Sequence, residues 1–174
     1  MNIILSDFRN QNPKNMSILL ILSIILCGLV AGLLYGFSCA VNPGLDALDD
    51  LKYLSAVQSI NEKIQNPVFF ISFMGSLIIL PICAYLHYQA GHDKWLLLSI
   101  AALLYVVGVF GITVFGNIPL NKFLENIDLK STSANGLADI RLKFQASWIV
   151  FHQIRTVSAF FAFILITYTA VGIK

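Results

Sequence analysis

The chain has 174 residues, of which 57% are hydrophobic and only 11% charged, with a mean hydropathy of +0.79. A soluble domain carries about 25% charged residues, so this chain has too little polar surface to cover a water-facing exterior. Its net charge of +2 comes with 11 scattered Lys and Arg, which excludes a basic patch for nucleic acid.

A transmembrane helix needs about 20 mostly apolar residues. After a tail over residues 1–16, the first such stretch is Ser17–Val41. Arg9 and Lys14 precede it, as in a signal peptide. The apolar run is too long for that, and no small-residue cleavage site follows. Gly28, Gly32 and Gly36 recur at every fourth position, with Ala40 a turn on. Such a face lets helix backbones approach closely, within the bundle or across a homo-oligomer seam. Cys27, Cys39 and Cys83 lie in apolar stretches without ligand spacing and read as buried small hydrophobes.

Asn42-Pro43-Gly44 marks a turn. Beyond it, Leu51, Leu54, Val57, Ile60, Ile64 and Val68 recur at helical spacing. The second span, Val68–His87, therefore starts as helix outside the bilayer and bends at Pro67, which has no backbone donor. Pro81 should kink it. His87, His92, Asp93 and Trp95 read as an interfacial loop. The third span is Trp95–Phe115, where Gly108 and Gly111 form a weaker small-residue face. In the long loop Gly116–Ser147, the linker is Ser131–Gly136. Leu137, Ile140 and Phe144 continue the face of Trp148, so the last helix starts near Asn135 as its cap. The fourth span is Trp148–Ile173.

The expected fold is all-α: a four-helix transmembrane bundle over residues 17–174, with partly helical loops on one membrane face. Both termini share one side and the two long loops the other. Lys and Arg counts do not separate the sides; Lys14, the nearest flanking charge, favours a cytoplasmic N-terminus.

Trp148, His152 and Arg155 fall in one stripe of a helix at about 100° per residue. Arg155 is the one Lys, Arg, Asp or Glu in the four spans, and an ionisable residue at such depth marks a functional site. Other polar residues gather at the same end: Asn42, Gln58, Asn61, Gln65, Asn66, Asn117 and Asn121. Their convergence into one pocket is expected, since bundle sites are built from facing helices. Each also has an ordinary use in a turn, a cap or interfacial hydration, and Arg155 can snorkel or tie helices together. His152 is the one His at this end and has no carboxylate at i+3 or i+4. There is no P-loop, GxSxG or HExxH. Neither a metal nor a cofactor is expected.

Asn42-Pro43-Gly44-Leu45, Gln58-x-x-Asn61-x-x-x-Gln65-Asn66-Pro67-x-Phe69, Gly116-Asn117-x-Pro119-Leu120-Asn121 and Trp148-x(6)-Arg155-Thr156 together resemble the DUF1772, or anthrone oxygenase-like, family. The resemblance runs from about Val30. It implies a small four-span membrane protein, for which the bacterial inner membrane is the expected location. Fungal members oxidise an anthrone to an anthraquinone with O2 and no evident cofactor. Arg155, Asn61, Asn66, Asn117, Asn121 and Trp148 carry over. The family pattern puts Asn where this chain has His152, often with His where it has Gln153, so the basic residue has moved along the helix.

On this reading the partners are membrane lipids and an anthrone- or quinol-like aromatic substrate. Arg155 holds an oxyanion and His152 is the base. Asn61, Asn66, Asn117, Asn121 and Trp148 bind the substrate. The alternative is a non-catalytic membrane module that binds a lipid, quinone or partner protein in the same pocket, with Gly28, Gly32 and Gly36 as its oligomerisation face. A transporter has less support, because the chain shows no internal repeat.

Overall fold

The computed structural model describes residues 13–171. Residues 1–12, with Arg9 and most of the expected tail, and residues 172–174, with Ile173 and Lys174, lie outside the described residues, as does the side chain of Lys14. Helix α1 occupies residues 13–46: it is α-helical over Pro13–Gly36, π-helical over Phe37–Val41 and α-helical again over Asn42–Asp46. Helix α2 is Asp50–Lys63 and α3 is Pro67–Gln89. Helix α4 spans Trp95–Glu125 and contains the π segments Leu104–Gly111 and Thr113–Asn117. Helix α5 is Ala134–Val171. Helices α1, α3, α4 and α5 are long and apolar enough to cross a membrane, and no strand occurs among the described residues.

Helix α1 packs against α3 and α5, and α4 packs against the same two. The ring order is therefore α1–α3–α4–α5, with α1 diagonal to α4. Its core is built from Cys27, Val30 and Leu34 of α1, Phe73 and Leu80 of α3, Leu98 and Tyr105 of α4, and Ala159 and Ile166 of α5. In lipid, close van der Waals contact rather than transfer from water holds helices together. Glycines mark where that contact is tightest. A Cβ on Gly28 would lie 2.9 Å from the Phe163 ring, one on Gly75 2.9 Å from Leu26, and one on Gly108 2.3 Å from Ser158 Oγ. These are the α1–α5, α3–α1 and α4–α5 seams. Gly32 and Gly36, expected to share the role of Gly28, have nothing within 4 Å. Tyr105 donates its hydroxyl to Phe73 O at 2.9 Å and ties α4 to α3.

A second core closes the long-loop end. Tyr53, Leu54 and Val57 of α2 pack on Leu124, Leu129, Leu137, Phe144 and Trp148. Helix α2 is capped by Asp49, whose side chain accepts from Lys52 N–H at 3.0 Å.

Several local expectations change. Asn42-Pro43-Gly44 is not a turn, because α1 continues through it. Pro43 would break a regular α-helix. The π turn ahead of it, in which Asn42 N–H bonds to Phe37 O, absorbs the fault. The same device precedes Pro119, where Ile118 N–H bonds to Thr113 O. Pro67 begins a new helix rather than bending an old one: it stands at the first turn of α3, and Asn66 caps that turn. Ser133, not Asn135, caps α5, its Oγ accepting from Gly136 N–H at 3.3 Å. His87 lies inside α3, 2% exposed, with a ring nitrogen 2.8 Å from Cys83 O. Cys39 is exposed, whereas Cys27 and Cys83 are buried.

Candidate functional site

Helix α5 carries the centre of the site. The Trp148 and His152 rings stack at 5.0 Å with an interplanar angle of 8°, and the Arg155 guanidinium carbon lies 5.4 Å from the Trp148 ring centroid. Trp148 is 8% exposed and His152 1%. Arg155 Nη2 donates to His152 Nδ1 at 3.3 Å. Arginine has only donors, so Nδ1 presents its lone pair and the imidazole proton sits on Nε2. That N–H points to Ser38 Oγ at 2.9 Å, and Ser38 donates to Leu34 O at 3.1 Å. The hydrogen-bond network thus assigns a neutral His152 held between α1 and α5.

Helix α4 approaches from the other side. Asn121 Oδ1 accepts from Trp148 Nε1–H at 2.9 Å, and Asn117 Nδ2 donates to Trp148 O at 3.3 Å. Asn121 fixes the indole and Asn117 the backbone of the same residue. Glycine at position 116 permits this, since a Cβ there would lie 2.7 Å from the Phe151 ring.

Three buried side-chain atoms lack a partner among the described residues: Asn61 Nδ2, Asn117 Oδ1 and Arg155 Nε. All three belong to residues singled out from the sequence. Buried polar atoms are normally satisfied, and these three exceptions gather around the Trp148–His152–Arg155 stripe and the space beside it. No carboxylate pairs with Arg155 among the described residues; the ion pairs there involve Lys52, Lys63 and Arg141.

Two spaces flank the stack. A groove of about 280 Å³ runs between α1 and α5, lined by Ser38, Asn42, Pro43, Asp46, Gln145, Ile149, His152 and Gln153. That is close to the lower end of ligand-site volumes, about 300 Å³. A cavity of about 20 Å³ lies beneath α2, lined by Phe37, Asn42, Leu45, Tyr53, Val57, Ile60, Asn61, Phe144 and Trp148. Asn42 borders both. Trp148, His152, Arg155, Asn117 and Asn121 therefore form one connected group, with Asn61 on the small cavity. Asn66 stands apart: it accepts from Phe69 N–H at 3.1 Å and donates to Lys63 O at 2.9 Å, and it lines neither space. Gln153 is exposed on the groove while His152 faces inward, so an imidazole at 152 joins the buried stack where one at 153 would not.

Sequence reasoning missed Ser38, Tyr53 and Arg141. Arg141 donates to Leu48 O at 2.8 Å, Asp50 Oδ1 at 3.0 Å, and Asp46 O and Oδ1 at 2.9 and 3.0 Å. It also bonds Gln145 at 2.9 Å and lies 4.4 Å from the Tyr53 ring centroid. Burial pushes the Tyr53 phenol up to about 12. The signal for Arg141 was present: positions 141, 148 and 155 are seven apart and share a helical stripe.

A family model for anthrone oxygenase matches residues 69–165. The match takes in Asn117, Asn121, Trp148, His152 and Arg155 and begins after Asn61 and Asn66. No curated protein and no solved structure matches the chain.

Proposed function

The chain belongs to the anthrone oxygenase family, and from that premise we propose that it oxidises a flat, anthrone- or quinol-like aromatic substrate with O2, without a cofactor, beside the groove between α1 and α5. One observation carries this reading: Arg155 is a cation inside a membrane span with a free Nε–H and no anionic partner among the described residues. An uncompensated charge at that depth is expensive. A substrate that becomes an anion supplies the missing partner, and a donor aimed at developing negative charge lowers the barrier to forming it.

The roles follow from the hydrogen bonds. Arg155 releases His152 Nδ1 and turns to the substrate oxygen. The exposed Nδ1 lone pair takes the acidic proton, while Ser38 keeps Nε2 in place. The resulting imidazolium is balanced by the substrate anion. Trp148, fixed by Asn117 and Asn121, supplies an aromatic surface. The anion passes an electron to O2, a C–O bond forms, and loss of water leaves a carbonyl. For an anthrone, CH2 and O2 become C=O and H2O overall.

The test is O2 uptake by purified protein in detergent with an anthrone. Arg155→Ala should lose at least about tenfold in rate, as for removal of an oxyanion donor, and Arg155→Lys should restore part of it. Wild type no faster than empty micelles refutes the reaction. Tight binding of a quinone or anionic lipid without O2 uptake would instead establish the non-catalytic module.

A further inference from the structure

We infer that the small cavity beneath α2 is the site where dioxygen is held and reduced; this rests on the oxidative reading above. Its volume, about 20 Å³, is that of a single water-sized guest, so no aromatic substrate enters it. Most of its wall is apolar: Phe37, Leu45, Val57, Ile60, Phe144 and Trp148. Neutral O2 needs no hydrogen bonds and favours such a lining. The cavity also contains Asn61, whose buried Nδ2 donates to nothing. An orphan donor suits a guest that only accepts, which is what O2 becomes after gaining an electron.

Charge points the same way. Two aromatic walls of the cavity each carry a guanidinium: Arg141 lies 4.4 Å from the Tyr53 ring centroid and Arg155 5.4 Å from that of Trp148. Arg141 is neutralised by Asp46 and Asp50, so the uncompensated cation is Arg155; in a weakly screening environment it raises the potential felt by a small guest and favours its one-electron reduction. The place is also right. Asn42 borders both cavity and groove, and the Trp148 ring on the cavity wall stacks on His152 on the groove wall.

The electrons balance. The substrate carbanion or phenolate gives one electron to O2, leaving a substrate radical and superoxide beside Asn61. Their recombination forms the C–O bond of a peroxide, which takes a proton. Loss of the remaining C–H proton with cleavage of the O–O bond gives the carbonyl and hydroxide, which leaves as water.

Dissolved O2 is paramagnetic, so occupancy can be read without turnover. In labelled full-length protein in detergent under raised O2, the Val57 and Ile60 methyls should relax faster than those of Leu80 and Leu98, which are fully buried in the bundle. Val57→Leu, or Ile60→Phe if the first variant folds poorly, should abolish that difference. In the O2-uptake assay the same variant should raise KM for O2 by about threefold or more, with KM for the aromatic substrate unchanged. Relaxation equal to the bundle controls, or unaltered when the cavity is filled, overturns the assignment. Enhanced relaxation at Val57 and Ile60 in a protein that turns over no anthrone would preserve the O2 site and remove the proposed reaction instead.

Discussion

Arg141→Ala should destabilise the protein by about 3 kcal/mol. The side chain is 15% exposed and joins the end of α1, the start of α2 and the body of α5. Its carboxylate partners are 64% and 38% exposed, so the ion pairs are left out of the sum as screened surface interactions. Two bonds to the carbonyls of Asp46 and Leu48 contribute about 1 kcal/mol each. The face of Tyr53 adds about 1 kcal/mol as a desolvated cation–π contact. For a chain of this size each kcal/mol moves the midpoint by about 2–4 °C, which predicts a fall of about 6–12 °C. Tryptophan fluorescence during a thermal scan in detergent reads it, since Trp148 packs in the core that α2 covers. Arg141→Lys keeps the charge but loses the fork that reaches both carbonyls, and should recover less than half. A fall below about 2 °C for the alanine variant, or full recovery by lysine, would refute the idea of a clamp made by directed hydrogen bonds.

Tyr53 should make the protein sensitive to alkali. Burial raises its folded pKa from 10.0 to about 12, so above pH 10 the unfolded chain loses this proton first. Stability then falls as pH climbs through that window; Tyr53→Phe should flatten the decline in a thermal scan against pH. Asp49 behaves in the opposite sense. Its hydrogen bonds from Lys52 hold the carboxyl below the ordinary range, so its contribution is present at neutral pH and fades as acid protonates it. Asp49→Asn should keep the cap of α2 and lose this acid dependence, measured by circular dichroism. Gly108→Ala drives a methyl into Ser158, 2.3 Å from Oγ and 2.6 Å from Cβ. Overpacking of that kind costs about 1–3 kcal/mol, and the double variant with Ser158→Gly should regain most of it; no rescue would mean that the α4–α5 seam is not set there.

Hydropathy alone made the four spans legible, because lipid-facing helices must be apolar over their whole length. Two proline signals misled, for a physical reason. Asn42-Pro43-Gly44 has turn chemistry, yet a π register can carry a helix past a proline, and that register has no period to read. At Asn66-Pro67 the sequence presented a capping residue followed by proline at the first helical position; weighed as a cap, it predicts the break and explains why Asn66 has no free polar group for a ligand. Within the site, the Trp148–His152–Arg155 stripe followed from spacing. The partners of those residues did not, because Asn121 meets Trp148 and Ser38 meets His152 only through helix packing. Arg141 was hidden by the expectation that the working part of α5 begins at Trp148.

The two π segments that precede prolines explain how partners so far apart in sequence converge on α5. Ser38 lies in Phe37–Val41 and Asn117 in Thr113–Asn117. Each segment is followed, after one intervening residue, by proline: Pro43 and Pro119. In a regular α-helix Pro43 would owe a hydrogen bond to Cys39 O and Pro119 one to Phe115 O, and neither has an N–H to give. The regular register therefore gains nothing at that point, and the wider turn is not driven to close. A π turn adds a residue and rotates the helix after it by about 100° relative to the helix before it. In α1 this leaves Ser38 facing His152, while Asn42 borders both groove and cavity. In α4 it allows Asn117 and Asn121 to bond the backbone and indole of Trp148 together. The two diagonal helices thus use the same local device to grip one stripe from opposite sides. The prolines that resembled helix stops are better understood as what keeps those registers open.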